Sequence, residues 1–179
     1  MQEGYIFNNK GFTLIEIIIF IVVFSIGVMG IMMLFFNTLG KTSDPLVRLQ
    51  GIQTAQAVME SISLKKFDED TPEGGGAVAL YNISIGSNSG ETFSDYDDID
   101  DFVDSCGAKN SYDPQQFDLD GNYEISIKVE YAKIDASNTI ISTCNDSVPE
   151  NKKYKLITVN LINKSIDETY TLKKLKGNF

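Results

Sequence analysis

Gly11-Phe12-Thr13-Leu14-Ile15-Glu16-Ile17-Ile18-Ile19-Phe20 opens a run that stays apolar as far as Phe36. From Phe12 to Phe36 there are twenty-five residues and one charge, Glu16. At ~1.5 Å per residue a helix of that length extends ~37 Å. The hydrocarbon core of a bilayer is ~30 Å thick, so the segment is long enough to span it with some tilt. A carboxylate near the bilayer centre costs about 2.5–3.5 kcal/mol on insertion scales, so Glu16 is expected to have a use. An ordinary secretory signal fits poorly. Its apolar region runs to only about 7–15 residues and is followed by a small-residue cleavage site, whereas here the small residue, Gly11, precedes the run. Gly27 and Gly30, with Ser25 nearby, read either as positions for close helix packing or as glycines tolerated in lipid.

Lys10-Gly11-Phe12-Thr13-Leu14-Ile15-Glu16 resembles the leader and processing site of type IV pilins and their relatives. The resemblance implies cleavage between Gly11 and Phe12 by a prepilin peptidase and N-methylation of the new Phe12 amine. It also implies a helix that first crosses the membrane lipid and then forms the core of a fibre. Glu16 would pair with the Phe12 amine of a neighbouring subunit during assembly. Opposite charges in a low-dielectric setting attract strongly and relieve each other's desolvation. The division expected is a leader at 1–11, a transmembrane and fibre-core helix at 12–36, an amphipathic continuation at 37–66, and a periplasmic α+β head at 67–179. The leader carries only Glu3 and Lys10 as charges, a weak positive-inside signal that places it on the cytoplasmic side.

The whole chain has a net charge of −10. An acidic exterior argues against nucleic acid as a partner. The charge is uneven: residues 67–104 hold eleven acids and no Lys or Arg, and residues 151–179 hold seven Lys with Asp167 and Glu168 as their acids. Two readings stand. The segments are two solvated faces of one domain, or the acidic region of one subunit meets the basic tail of another and steers assembly. Cys106 and Cys144 both lie in the outer part, where an oxidising compartment favours a disulfide. Closing that loop would stabilise by roughly 4 kcal/mol in the chain-entropy model.

Gly40-Lys41-Thr42-Ser43-Asp44-Pro45 is expected to interrupt or re-cap the helix, with Ser43 or Asp44 as N-cap and Pro45 at the first helical position. A second helix is predicted from Pro45 to about Lys66. Leu46, Leu49, Ile52, Ala55, Val58, Met59 and Ile62 would face a sheet. Arg48, the sole arginine, reads either as a solvated helix-surface charge, the favoured reading, or as an interaction residue. Residues 67–76 and 86–90 are loops. Strands are predicted at Ala77–Ile85, Tyr123–Ala132, Asn138–Thr143, Tyr154–Ile162 and Thr169–Leu175, the second of these with clear apolar-polar alternation. The fold expected is α+β, a long N-terminal helical spine packed on an antiparallel sheet.

In Phe93-Ser94-Asp95-Tyr96-Asp97-Asp98-Ile99-Asp100-Asp101-Phe102, the Asp residues either bind a hard cation such as Ca²⁺ or cap turns in water. Apolar residues at spacing three, Phe93, Tyr96, Ile99 and Phe102, favour the second reading. Asp118, Asp120, Asn122 and Glu124 offer oxygens at alternate positions and form a candidate calcium set. The spacing departs from the EF-hand pattern, and a turn before a strand explains it equally well. No other cofactor is expected. An enzyme is not expected, because the chain has no histidine and no Gly-x-Ser-x-Gly motif.

Ser43–Gln50 and Ala55–Ile62 resemble the MshD family of minor pilins, from mannose-sensitive haemagglutinin (MSHA) pili. The Asp-rich stretch 93–102 and the ending Leu175-Lys176-Gly177-Asn178-Phe179 resemble it at separate points. That likeness implies a low-abundance subunit that primes or caps a pilus used for surface attachment. Its partners would be other pilin subunits, the prepilin peptidase and the inner-membrane assembly platform. A type II secretion pseudopilin shares the processing motif and is the nearest rival, and a membrane-anchored periplasmic binding module is the third reading.

Overall fold

The computed structural model describes residues 11–87 and 90–179, without the side chains of 38–44. The leader residues 1–10, including Lys10, and the N-cap roles expected of Ser43 and Asp44 lie outside what is described. The chain divides into two compact units, Met1–Val47 and Arg48–Phe179.

The first long element, α1, is helical from Leu14 to Ser63 with Pro45 inside it. The predicted break at 40–45 is therefore corrected. A proline removes one backbone donor and crowds the carbonyl four residues back, but strong helix formers can carry a helix past it. Leu46, Leu49, Gln50, Gln53, Ala55, Gln56, Met59 and Glu60 supply those here.

The predicted packing stripe is correct only in its second half. Ala55, Val58, Met59 and Ile62 are buried, whereas Leu46, Leu49 and Ile52 are exposed. Each step of three residues falls ~60° short of a full turn, so Leu46 lies about half a turn away from Ala55. The buried face instead continues upward through Gly51, where the ring of Tyr170 occupies the space a side chain would need.

The sheet in the second unit has five antiparallel strands: β1 (Lys109–Tyr112), β2 (Tyr123–Ile134), β3 (Ile140–Thr143), β4 (Tyr154–Asn163) and β5 (Glu168–Gly177). The order is β1-β2-β4-β5, with β3 also paired to β2. Both β1 and β3 use the edge of β2 that β4 leaves free, β1 along residues 125–128 and β3 along 131–134. Tyr123, Ile125, Ile127, Val129 and Tyr131 of β2 and Ile157, Val159 and Leu161 of β4 form one core with the buried face of α1. This is the expected α+β architecture, a helix followed by an antiparallel sheet.

One predicted strand is corrected and one strand was not foreseen. Ala77–Ile85 is not a strand. Val78 pairs its backbone N–H and carbonyl with the side-chain amide of Asn178, both at 2.7 Å. One asparagine side chain thus replaces a ladder partner, and Val78 and Ile83 are buried as cover over the core. Conversely β1, Lys-Asn-Ser-Tyr, carries no alternation that sequence could reveal, because an edge strand buries little.

Candidate functional site

Helix α1 opens at Thr13. Its carbonyl accepts from the Glu16 and Ile17 amides, and its Oγ1 accepts from Glu16 N at 3.3 Å. Thr13 is thus the cap, and Glu16 stands at the third helical position, where the positive end of the helix dipole favours a carboxylate. Phe12, Glu16, Ile17 and Phe20 line one concavity of about 360 Å³. Phe12 is 79% exposed. The structure therefore puts the residue after Gly11 and the one acid of the apolar run on the same short surface.

The span Leu14–Asn37 has mean hydropathy 3.0, and none of it is buried within the chain. Length and composition suffice to cross a membrane. An uncovered apolar helix of this size needs lipid or other apolar helices around it.

The acidic stretch packs its apolar residues inward as expected, but not all of its acids lie in water. Ile99 and Phe102 are buried, and Phe93 and Tyr96 lean on the same core. Phe93, Tyr96, Phe102, Tyr112 and Phe117 form an aromatic cluster, with Phe93 edge-on to Phe117 at 5.1 Å. Asp98, Asp100 and Asp101, however, do not lie in water: all three are at most 4% exposed. Asp98 Oδ1 accepts from the amides of Asp100 and Asp101, and Asp101 Oδ2 accepts from those of Asp97 and Asp98. Each side chain closes the other's turn, which is why the carboxylates point inward.

Asp100 meets a buried cation. Lys155 on β4 is fully buried, and its Nζ contacts Asp100 Oδ1, Asp68 Oδ2 at 3.1 Å and the Phe67 carbonyl at 2.7 Å. The Phe67 ring lies 4.7 Å from the same nitrogen. Burial pushes the Asp100 carboxyl up to about 8, against the opposite pull of Lys155. Burial and the Asp101 charge also raise Asp98. The basic tail is used in the same way. Lys176 donates to the Ser63 and Lys65 carbonyls and caps the C-terminus of α1, whose own last turn has no basic residue. Lys152 donates to the Ile83 carbonyl at 2.7 Å. The solvated-faces reading is thus corrected in part. Asp98, Asp100, Asp101 and Lys155 are buried, and Lys155 of the basic tail meets Asp68 and Asp100 of the acidic segment inside one chain, where buried charges require partners. Most other charges of the two segments stay at the surface. The Lys155 site had one sequence signal. Lys155 occupies the inward register of β4, in line with Ile157, Val159 and Leu161.

Cys106 and Cys144 are joined by a disulfide with Cα atoms 5.6 Å apart. It links the residues just before β1 and just after β3, clasping both short strands to β2. Between them Gly107 donates to the Val129 carbonyl at 2.9 Å with φ +75°. A Cβ there would come within 3.1 Å of Cys144 Sγ. Arg48 is a helix-surface charge, with its side chain 59% exposed, and it also pairs with Glu168 at 2.6 Å.

Of the proposed calcium residues, Asp118, Asp120 and Asn122 lie in the turn before β2 and Glu124 lies in β2 itself. Asp118 is the left-handed cap of the 3₁₀ turn Pro114–Phe117. Asp120 accepts from Asn122 N at 3.0 Å, and Glu124 pairs with Lys164 at 3.4 Å. Among the described residues, the acids that gather within 4.8 Å of one another are Glu69, Asp97 and Asp98.

Residues 6–32 match the family described as the prokaryotic N-terminal methylation motif. The match supports a type IV pilin-like protein. It covers only the N-terminal stretch, the part with the capped helix start and the uncovered apolar span. For a pilin-like chain this motif implies a structural subunit rather than an enzyme, with other pilin subunits and a prepilin peptidase as partners. With the apolar helix it fits single-pass membrane anchoring. No curated protein and no solved structure matches the chain.

Proposed function

We propose that the chain is a minor type IV pilin of the MSHA type. Prepilin peptidase cuts between Gly11 and Phe12, the Phe12 amine is methylated, and the head lies in the periplasm while the span is in the inner membrane. The assembly platform then draws the subunit into a pilus, where it primes or caps a fibre for surface attachment. The observation that carries this is the methylation motif lying on an apolar helix that the rest of the chain leaves uncovered. Glu16 supplies the assembly contact: once Gly11 is removed, the Phe12 amine of an adjacent subunit is the cation that offsets its desolvation. The MSHA type is supported by the likeness at residues 43–50, 55–62, 93–102 and 175–179.

Shearing cells that carry Gly11→Val, Glu16→Ala or the unchanged chain tests this. The unchanged subunit is expected in the sheared surface fraction, Gly11→Val is expected unprocessed in the membrane, and Glu16→Ala is expected processed but absent from fibres. Retention of the unchanged subunit in the periplasm beside an assembled secretion machine would favour a type II pseudopilin. A second reading, an anchored binding module, draws on a cleft of about 270 Å³ with Phe93, Phe102 and Phe117 beside Lys65, Gln116 and Asp118. That reading requires Glu16→Ala to leave function intact.

A further inference from the structure

Lys155 is held more closely than an ion pair requires. Its side chain is 0% exposed, and those of Asp68 and Asp100 are 6% exposed. Both carboxylates reach the same nitrogen, the Phe67 ring covers it, and β4 holds it in the core. The neighbouring acids are committed elsewhere: Asp98 and Asp101 accept from backbone amides, and Asp97 pairs with Lys66 at 2.7 Å.

We propose that Lys155 and Asp100 condense into an intramolecular amide cross-link, with Asp68 carrying the proton. The ammonium first gives one proton to Asp100, whose burial favours the neutral acid, and Asp68 stays free to act as the base. Burial raises the Asp100 carboxyl and so favours its protonated form. The Lys155 nitrogen then attacks Asp100 Cγ and a C–N bond forms. Asp68, 3.1 Å from that nitrogen, takes a proton from it and returns it to the departing oxygen. The Cγ–O bond breaks and one water leaves. Nothing is oxidised or reduced, and no co-reactant is needed. Amide formation between free groups in water is unfavourable. Held in place, the pair reacts with an effective molarity on the order of 10⁵–10⁸ M, and the closed site excludes the water that would reverse it. The product ties the acidic segment 93–104 covalently to the central strand β4.

The experiment uses the full-length chain extracted in detergent, reduced, denatured, digested and mapped by tandem mass spectrometry. The expected result is a branched peptide joining Lys155 to Asp100, lighter by one water than the sum of its parts. Asp100→Ala should restore a free Lys155. Asp68→Ala should leave Lys155 and Asp100 unjoined although both are present. Free Lys155 in the unchanged chain, with the Cys106–Cys144 bond formed, would overturn the proposal. So would a water loss that maps to a succinimide at Asp120-Gly121, or a cross-link to Asp68. A cross-link that persists in Asp68→Ala would overturn the role given to Asp68.

Discussion

Gly51→Ala should reverse its effect on stability when Tyr170 is removed. In an exposed helix interior the change would stabilise by about 1 kcal/mol, because alanine loses less backbone entropy than glycine. At position 51, however, the new Cβ would lie 2.6 Å from Tyr170 Cζ and 2.9 Å from its Oη. The ring is not free to swing away without loss, since its hydroxyl donates to Glu168 at 3.1 Å and Glu168 in turn holds Arg48. Overpacking of this kind costs about 1–3 kcal/mol. The single substitution should therefore destabilise by as much as about 2 kcal/mol after the propensity gain is subtracted. In a Tyr170→Ala background the clash is gone, and Gly51→Ala should instead stabilise by up to about 1 kcal/mol. Denaturant unfolding of the four chains in detergent, followed by tyrosine fluorescence and circular dichroism, gives the coupling directly. Equal shifts in both backgrounds would refute the reading that Gly51 is present to admit the Tyr170 ring.

Other outcomes follow from the same structure. Asn178→Ala should destabilise by about 1–3 kcal/mol, because it strands a buried donor and acceptor at once, and amide exchange should accelerate at Val78. Replacing Cys106 and Cys144 together with Ser should cost about 4 kcal/mol on the chain-entropy account of a 38-residue separation, with exchange rising first in β1 and β3. Tyr131 is pushed up to about 12, chiefly by burial. The folded phenol therefore keeps a proton that the unfolded one releases near pH ~10, and stability should fall as pH rises from there towards about 12. Tyr131→Phe should flatten that fall in alkaline unfolding curves.

The sheet was legible where one face is buried: Tyr123–Ile134 alternates because its odd-numbered side chains through Tyr131 enter the core. Strand β1 was not, since it gains its place from backbone pairing and the adjacent disulfide rather than from apolar burial. The helix stripe misled at Leu46 and Leu49 because spacing three drifts around a 3.6-residue helix. The acidic segment misled more deeply. Composition says that aspartates prefer water, but Asp98 and Asp101 satisfy each other's turn and Asp100 finds Lys155 more than fifty residues away, a partnership set by tertiary structure. At the N-terminus the motif and the span were plain in sequence, because processing and membrane crossing depend on local pattern.

The most direct test of the pilin reading is the intact mass and N-terminal residue of the chain recovered from membranes of cells with an active prepilin peptidase. The account predicts a chain that begins at N-methylated Phe12. A chain that still begins at Met1 would contradict it and would leave residues 11–36 as an anchor alone.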